Sequence, residues 1–339
     1  MDNSIREQLE ASESILLAPH ATLSKKSRGR DVEEEKCPIR TCFQRDRDRI
    51  IHCDAFQREK DKTQVITTAF ANDSDTYRTR MTHSLEVAQI GRVIAQCLKL
   101  NTDLVEAAGL GHDLGHTPFG HSGESILNQR YSFGFNHTSQ SIRVVEKLEK
   151  NGKGLNLTYE VREAIAHHSG LSNDLKNVVP ETKILPFADK IAYMTSDLED
   201  AKQYGVLSTN DIPIEIREYF GERKTGMINI LIQGIVSASY GTFDVKMDDE
   251  VFLMMTKLRD WMFDNVYHSD AINESRKEIG DIINYLCDYY EQNPDEMDFI
   301  SEPDDIERSV CDYVASMTDH TALYLFDNRN KIFAVPKVI

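Results

Sequence analysis

The chain has 339 residues, 28% of them charged and 40% hydrophobic, which is enough apolar surface for one large or two ordinary domains and too much for a disordered chain. A formal net charge of −17 disfavours indiscriminate binding to nucleic acid or anionic lipid, while leaving room for a local basic pocket for a small polyanion. No apolar stretch is long enough to span a bilayer: INILIQGIVSA, from Ile228, is short and broken by Asn229 and Gln233.

Residues 1–35 are polar, start on an acidic stretch without an apolar signal core, and carry SKKSRGR from Ser24 followed by DVEEEK from Asp31. They predict a loosely packed arm on a cytoplasmic protein. From residue 36 the chain reads as a single helix-rich domain to 339, with no repeat and no long linker. His83, Val87, Ile90, Ile94 and Cys97 fall on one helical face. So do His137, Ser141, Val144 and Leu148, then Val161, Ile165 and His168, and near the end Ile306, Val310, Val314 and Met317. Alternating strand patterns are few, and the late string LYLFDNRNKIFAV fits a hairpin or a helix end. The expected fold class is therefore all-α. None of the six cysteines forms a CxxC pair, so zinc ribbons and redox motifs are not expected and the thiols read as reduced.

The chemistry concentrates between Arg80 and His137. RTRMTH ends at His83, GHDLGHTPFGHSGE begins at Gly111, and FNH ends at His137, so five of eleven histidines (His83, His112, His116, His121 and His137) fall in this span. Histidine with aspartate is a usual ligand set for a borderline divalent metal. His112 and Asp113 are adjacent and point about 100° apart on a helix, so both reach one ion only near a helix end, where Gly109, Gly111 and Gly115 allow close packing and a sharp exit. A lone histidine on an apolar face is usually a satisfied core residue; a cluster with a fused aspartate is not well explained that way. Downstream, Asp189, Tyr193 and Asp197 are spaced i, i+4, i+8 with Lys190 beside them, while Ile184, Phe187, Ile191, Met194 and Leu198 take a neighbouring face. The pattern alone equally fits an amphipathic helix with a solvated acidic side.

These residues resemble the H…HD…D metal signature of the HD phosphohydrolase superfamily. Longer strings resemble one branch, the dGTPase or dNTP triphosphohydrolase family: RTCFQRDRDRIIHCDAF from Arg40, KTQV from Lys62, YRTRMTHSLEVAQIGR from Tyr77, GHDLGHTPFGHSGE, FNHTSQSIRVVEKLE from Phe135 and DKIAYMTSDLEDA from Asp189. The likeness runs from about residue 22 to Asp319. It implies an HD-domain helical fold with a helical C-terminal extension, the metal core at about 60–205 and the extension at about 206–339. His83, His112, Asp113 and Asp189 match metal ligands. His116, His121 and His137 match histidines around a triphosphate, and Glu124 matches the acidic partner of His121. Arg80 and Lys190 match phosphate contacts; Gln64, Tyr193 and Asp197 match positions around a deoxyribose. The chain departs from the family in FQREKDKTQV, where Gln57, Glu59 and Asp61 replace basic or apolar residues, and in FNHTSQS. The departures touch nucleotide preference and any effector site.

The implied reaction splits a dNTP, dGTP among them, into a deoxynucleoside and inorganic triphosphate with a divalent cofactor (manganese, magnesium, iron, nickel or zinc). His121, with Glu124 one turn on, is the expected general acid toward the 5′-oxygen, and Arg80, His116, His137 and Lys190 would neutralise the triphosphate. The resemblance further implies a homo-oligomer and a nucleotide effector. The nearest alternative is another HD enzyme acting on a monophosphate or a phosphodiester. From other classes, a non-catalytic nucleotide sensor and a nucleic-acid module, the latter resting on SKKSRGR alone, are the competing readings.

Overall fold

A computed structural model of the chain describes residues 4–64, 78–170, 175 and 177–329. Val65, which ends KTQV, Tyr77, which opens YRTRMTH, and the part of the late string beyond Arg329 lie outside the described residues. Among those described, the protein is helices and connections; an isolated antiparallel bridge between Thr63 and Thr79 is the extended pairing. The all-α expectation holds.

In order, the helices are α1 (Ile5–Leu16), α2 (Cys42–Ile51), α3 (Asp54–Arg58), α4 (Arg80–Cys97), α5 (Thr102–Gly111), α6 (Gly120–Arg130), α7 (His137–Arg143) and α8 (Tyr159–Ala166). There follow α9 (Leu185–Gln203), α10 (Ile214–Phe220), α11 (Lys224–Ser239), α12 (Asp249–Met262), α13 (Asp270–Gln292), α14 (Ile306–Ser316) and α15 (Asp319–Asp327). Their starts are written in the sequence: Thr79, Asn101 and Asn136 each accept a backbone N–H of the turn they open, satisfying donors that a helix leaves unpaired. None of these helices is long and apolar enough to cross a membrane. All six cysteines are free.

Two apolar cores divide the helices. The first gathers Phe43 and Ile50 from α2, Val87, Ile90 and Ile94 from α4, Leu104 and Val105 from α5, Val161 and Ile165 from α8, and Ile191 and Met194 from α9. It continues without a break past residue 206, through Leu231, Leu258 and Tyr267. The second core joins Phe119, Leu127, Tyr131 and Phe135 to Ile283 and Leu286 of α13, Val310 and Val314 of α14, and Leu325 of α15. The helix that follows the second histidine string therefore packs on the C-terminal helices, not on the core that holds the first.

Two details depart from the sequence reading. Cys97 is exposed, because α4 ends there and Leu98, its C-cap, turns into the core instead. Residues 4–35 are not a loose arm. Ser4 and Glu7 form a reciprocal capping box that starts α1. Beyond it, Ser24 donates to Glu13 (2.6 Å), Thr22 to Glu181 (2.7 Å) and Ser27 to Glu160 (2.7 Å), and the Arg30 guanidinium bonds the fully buried Asp46. Polarity was misread as solvation, when much of it is hydrogen bonding to the domain. The late string closes α15 as a helix end over its described part.

Candidate metal and phosphate site

The HD pair sits where its chemistry requires. Helix α5 ends at Gly111, His112 is its C-cap, and the chain turns sharply through residues 112–115. A Cβ at Gly115 would stand 2.1 Å from the Ser141 amide nitrogen, so glycine lets this turn press against α7. The Gly115 N–H donates to Ser141 Oγ (2.9 Å), which in turn donates to the His112 carbonyl (2.7 Å). The turn is thus fixed by buried hydrogen bonds on both sides.

Four predicted ligands converge from three elements: His83 from α4, His112 and Asp113 from the end of α5, and Asp189 from α9. His83 Nε2 lies 3.1 Å from Asp189 Oδ1 and 3.8 Å from Asp113 Oδ2. His112 Nε2 lies 3.3 Å from Asp113 Oδ1 and 3.8 Å from Asp189 Oδ1. His112 Nδ1 donates to the Gly109 carbonyl (2.7 Å), which fixes the tautomer and leaves a lone pair on Nε2. Burial holds this imidazole below its ordinary pKa, and its Nε2 is buried without a hydrogen-bond partner. A neutral nitrogen with its other face tied to a backbone carbonyl, set among two carboxylates and a second histidine, fits a divalent cation. Burial would raise the carboxyl of Asp113, but the imidazoles of His112 and His116 and the Arg80 guanidinium around it hold it well below the usual range.

Beyond the cradle runs a row of further imidazoles. His116 Nε2 is 3.3 Å from Asp113 Oδ1, and its ring stacks on His137 with centroids 4.1 Å apart. Glu124, on α6, ties the row together. It accepts from His121 Nδ1 (2.8 Å), His137 Nδ1 (3.0 Å) and the His137 backbone N–H (2.8 Å). His121 stands at the lip with its side chain 57% exposed, its Nε2 free of that bond. The Thr117–Pro118 break does fold the chain back, bringing His121 beside His116 with ring centroids 5.0 Å apart.

Arg80 is buried. Its Nη1 donates to Asp113 Oδ2 (2.9 Å), while Nε and Nη2 are buried without a hydrogen-bond partner. Gly120 makes room for it, since a Cβ there would stand 2.5 Å from Arg80 Nη2. The remaining predicted residues are not drawn into this row. Gln64 is buried on the segment that meets Arg78, its N–H reaching the Arg78 carbonyl at 3.5 Å. Lys190, Tyr193 and Asp197 extend along α9, Asp197 roughly 12 Å beyond Asp189 along the axis. The solvated acidic face that the pattern allowed is absent: Asp197 is 2% exposed and accepts from the Tyr267 hydroxyl (2.7 Å), and burial pushes its carboxyl up to about 6.

Four residues at the site escaped the sequence reading. His168 donates from Nδ1 to the Ile165 carbonyl (2.7 Å) and meets His137 Nε2 with its own Nε2 at 3.2 Å. Burial holds its pKa down at about 4, so it accepts. His137 donates to Glu124 on one side and His168 on the other; burial pulls its pKa down, but the Glu124 bond together with the charges of Asp113 and Glu124 raises it. The signal for His168 was present: it lies on the same kind of apolar stripe that singled out His83. Glu59, one of the departures, is buried behind Arg80 and Asp113, accepts from Ser84 Oγ (2.9 Å), and is pushed up to about 8 by burial and the Asp113 charge. Lys62 was marked only as the first residue of KTQV, with no role attached, and Tyr267 carried no distinguishing pattern. Besides the first three ligands, Asp113 with His137 and His168, and His116 with His121, Glu124 and His137, bring their ligand atoms within 4.8 Å of one another.

Comparison with known proteins gives the same reading of the chain. The HD domain matches residues 80–194, and the phosphohydrolase-associated domain matches residues 245–328. A deoxyguanosinetriphosphate triphosphohydrolase-like protein of Caldanaerobacter subterraneus is 45% identical, with 94% of each chain aligned. Proteins of that name from Desulfatibacillum aliphaticivorans (43%, covering 94% of this chain and 96% of the relative) and Clostridium tetani (39%, covering 99% and 98%) are similarly close. Identity of this order across nearly the whole length means that the chain belongs to the HD-domain family of metal-dependent phosphohydrolases, in the branch of the deoxyguanosinetriphosphate triphosphohydrolase-like proteins.

Proposed function

We propose that the protein hydrolyses deoxynucleoside triphosphates, dGTP among them, to the deoxynucleoside and inorganic triphosphate. The observation that carries this reading is the row of cationic and neutral donors beside the metal cradle, which is longer than a single phosphate needs. Arg80 offers Nε and Nη2, both buried and unbonded. His137, bonded to Glu124, adds positive charge one ring further out. Buried donors without partners are costly unless a ligand completes them, and oxygens of a polyphosphate do so.

His83, His112, Asp113 and Asp189 would hold a divalent ion, which when bound supplies Lewis-acid polarisation of a phosphoryl oxygen. The protein's own groups do the rest. Water adds to the α-phosphorus and releases a proton to solvent, the bond from that phosphorus to the 5′-oxygen breaks, and the 5′-oxygen takes a proton from His121 Nε2, which solvent then restores. Glu124 orients this imidazole by accepting from its Nδ1. A proton donor placed this way is worth roughly 10²–10⁴ in rate, because an alkoxide leaves poorly unprotonated. Arg80 and His137 stabilise the departing triphosphate by charge, the neutral His116 ring lines the same side, and Lys190 is assigned to the same anion. Asp197, held by Tyr267, and Gln64 are assigned to the 3′-hydroxyl, with Tyr193 packed against the sugar where a 2′-hydroxyl would crowd it.

The test is a chromatographic product assay with each dNTP and NTP, with Mn²⁺ or Mg²⁺ added. The expected result is triphosphate and deoxynucleoside, with dNTP cleaved much faster than the matching NTP. Release of orthophosphate or pyrophosphate, or turnover confined to monophosphates or phosphodiesters, would assign the chain to another HD activity.

A further inference from the structure

Residue Asp319 lies far from the metal cradle in sequence and opens α15, the last helix among the described residues, where the helix dipole favours a carboxylate. It is 7% exposed, and three donors converge on it. Its Oδ1 accepts the Phe119 N–H at 2.8 Å; its Oδ2 accepts the Thr63 N–H at 3.0 Å and the Thr63 hydroxyl at 2.5 Å. Phe119 immediately precedes Gly120 and His121, and it sits at φ 60°, ψ 21°, a left-handed conformation that residues with a Cβ rarely adopt. That conformation reverses the chain after Pro118 and starts α6 in the direction that brings His121 over the row of imidazoles.

The same turn is gripped at its other end. Lys62, 3% exposed, donates from Nζ to the His116 carbonyl and to the Ala315 carbonyl (3.0 Å) at the end of α14. Within the turn, Thr117 Oγ1 donates to the Gly120 carbonyl (2.8 Å). The helices that carry the metal ligands pack in the first core, while Phe119 and α6 pack in the second. The place of His121 relative to the metal therefore depends on what spans the seam between the cores.

We propose that Asp319 is a positioning residue for the reaction: its carboxylate holds Phe119 in the left-handed turn against Thr63, and so aims His121 at the 5′-oxygen. This rests on the triphosphohydrolase reading for its kinetic consequence, though not for its structural one. Asp319 touches no reacting atom; it acts through the backbone two residues before the acid.

Asp319→Asn tests it, since the amide keeps the shape and one acceptor but sets an N–H₂ against the other donors. The full chain is compared as wild type, Asp319→Asn, His121→Asn and the double variant, with bound metal measured in each. The expected result is normal metal content and KM within a few-fold, kcat lower by about tenfold, and faster amide exchange in peptides covering 114–124. In the His121→Asn background, Asp319→Asn should cost less than twofold, because there is no acid left to aim. Thr63→Val, which removes a single hydroxyl donor, should move exchange and kcat in the same direction by less. Losses that multiply in the double variant, or unchanged exchange and kcat in Asp319→Asn, would overturn the proposal. Should the wild type release no triphosphate, the functional reading falls, while the exchange measurement still decides whether Asp319 holds the turn.

Discussion

The metal cradle and the His121 turn lie side by side but are built by different means. The cradle is an interior structure. His83, His112 and Asp113 are 4%, 0% and 4% exposed, they lie on or at the end of helices of one core, and Ser141 and Gly109 fix His112 through buried bonds. The turn is a structure of the seam. His121 is largely exposed and is directed by a left-handed residue, a carboxylate on α6 and a carboxylate from the last helix. A cation demands fixed ligands that do not adapt, whereas a proton donor must stand at an open edge where a leaving group can reach it. The two regions should therefore fail differently when altered.

The largest effect is expected in the cradle. Asp113 faces His112, His116 and Arg80 together, so Asp113→Ala should abolish both bound metal and turnover. Metal analysis of the purified variant checks this; full activity in a metal-free Asp113→Ala protein would sink the assignment of the four ligands. At the turn the two losses should separate. His121→Asn is expected to keep its metal and bind dNTP with near-normal affinity while kcat falls by roughly 10²-fold or more. A variant that instead lost binding but kept kcat at saturation would make His121 a phosphate contact, erasing the distinction drawn between the regions. The smallest effect lies at neither. Tyr267→Phe removes one hydrogen bond to Asp197, of the order that contributes about 0.5–1.5 kcal/mol, so KM for dGTP should rise about two- to tenfold with kcat and metal content unchanged. A change in metal content there would mean that α9 transmits to Asp189 and that the cradle is less self-contained than its burial implies.

What the sequence disclosed follows the same division. The helical stripes of α4, α8 and α9 and the fused His112-Asp113 were legible because helix period and residue type both mark them. His121 and Glu124 were legible as a pair because they lie one helical turn apart. Long-range partners were not. Lys62 reaches carbonyls at His116 and Ala315, and Asp319 reaches Thr63 and Phe119 more than 190 residues away in the chain, contacts that no local spacing encodes. Phe119 gave no warning of its left-handed backbone, since such a conformation is ordinarily marked by glycine or asparagine. The N-terminal residues were misread for a related reason: Ser27 and Arg30 are polar residues whose partners, Glu160 and Asp46, are supplied by helices of the domain.

The account stands on water attacking the α-phosphorus and on His121 protonating the 5′-oxygen as it leaves. Hydrolysis of dGTP in ¹⁸O-enriched water, with both products analysed by mass spectrometry, addresses that most directly. The account predicts one labelled oxygen in the inorganic triphosphate and none in the deoxyguanosine. Label in the deoxynucleoside, or label appearing in orthophosphate or pyrophosphate with a nucleotide as the second product, would contradict it.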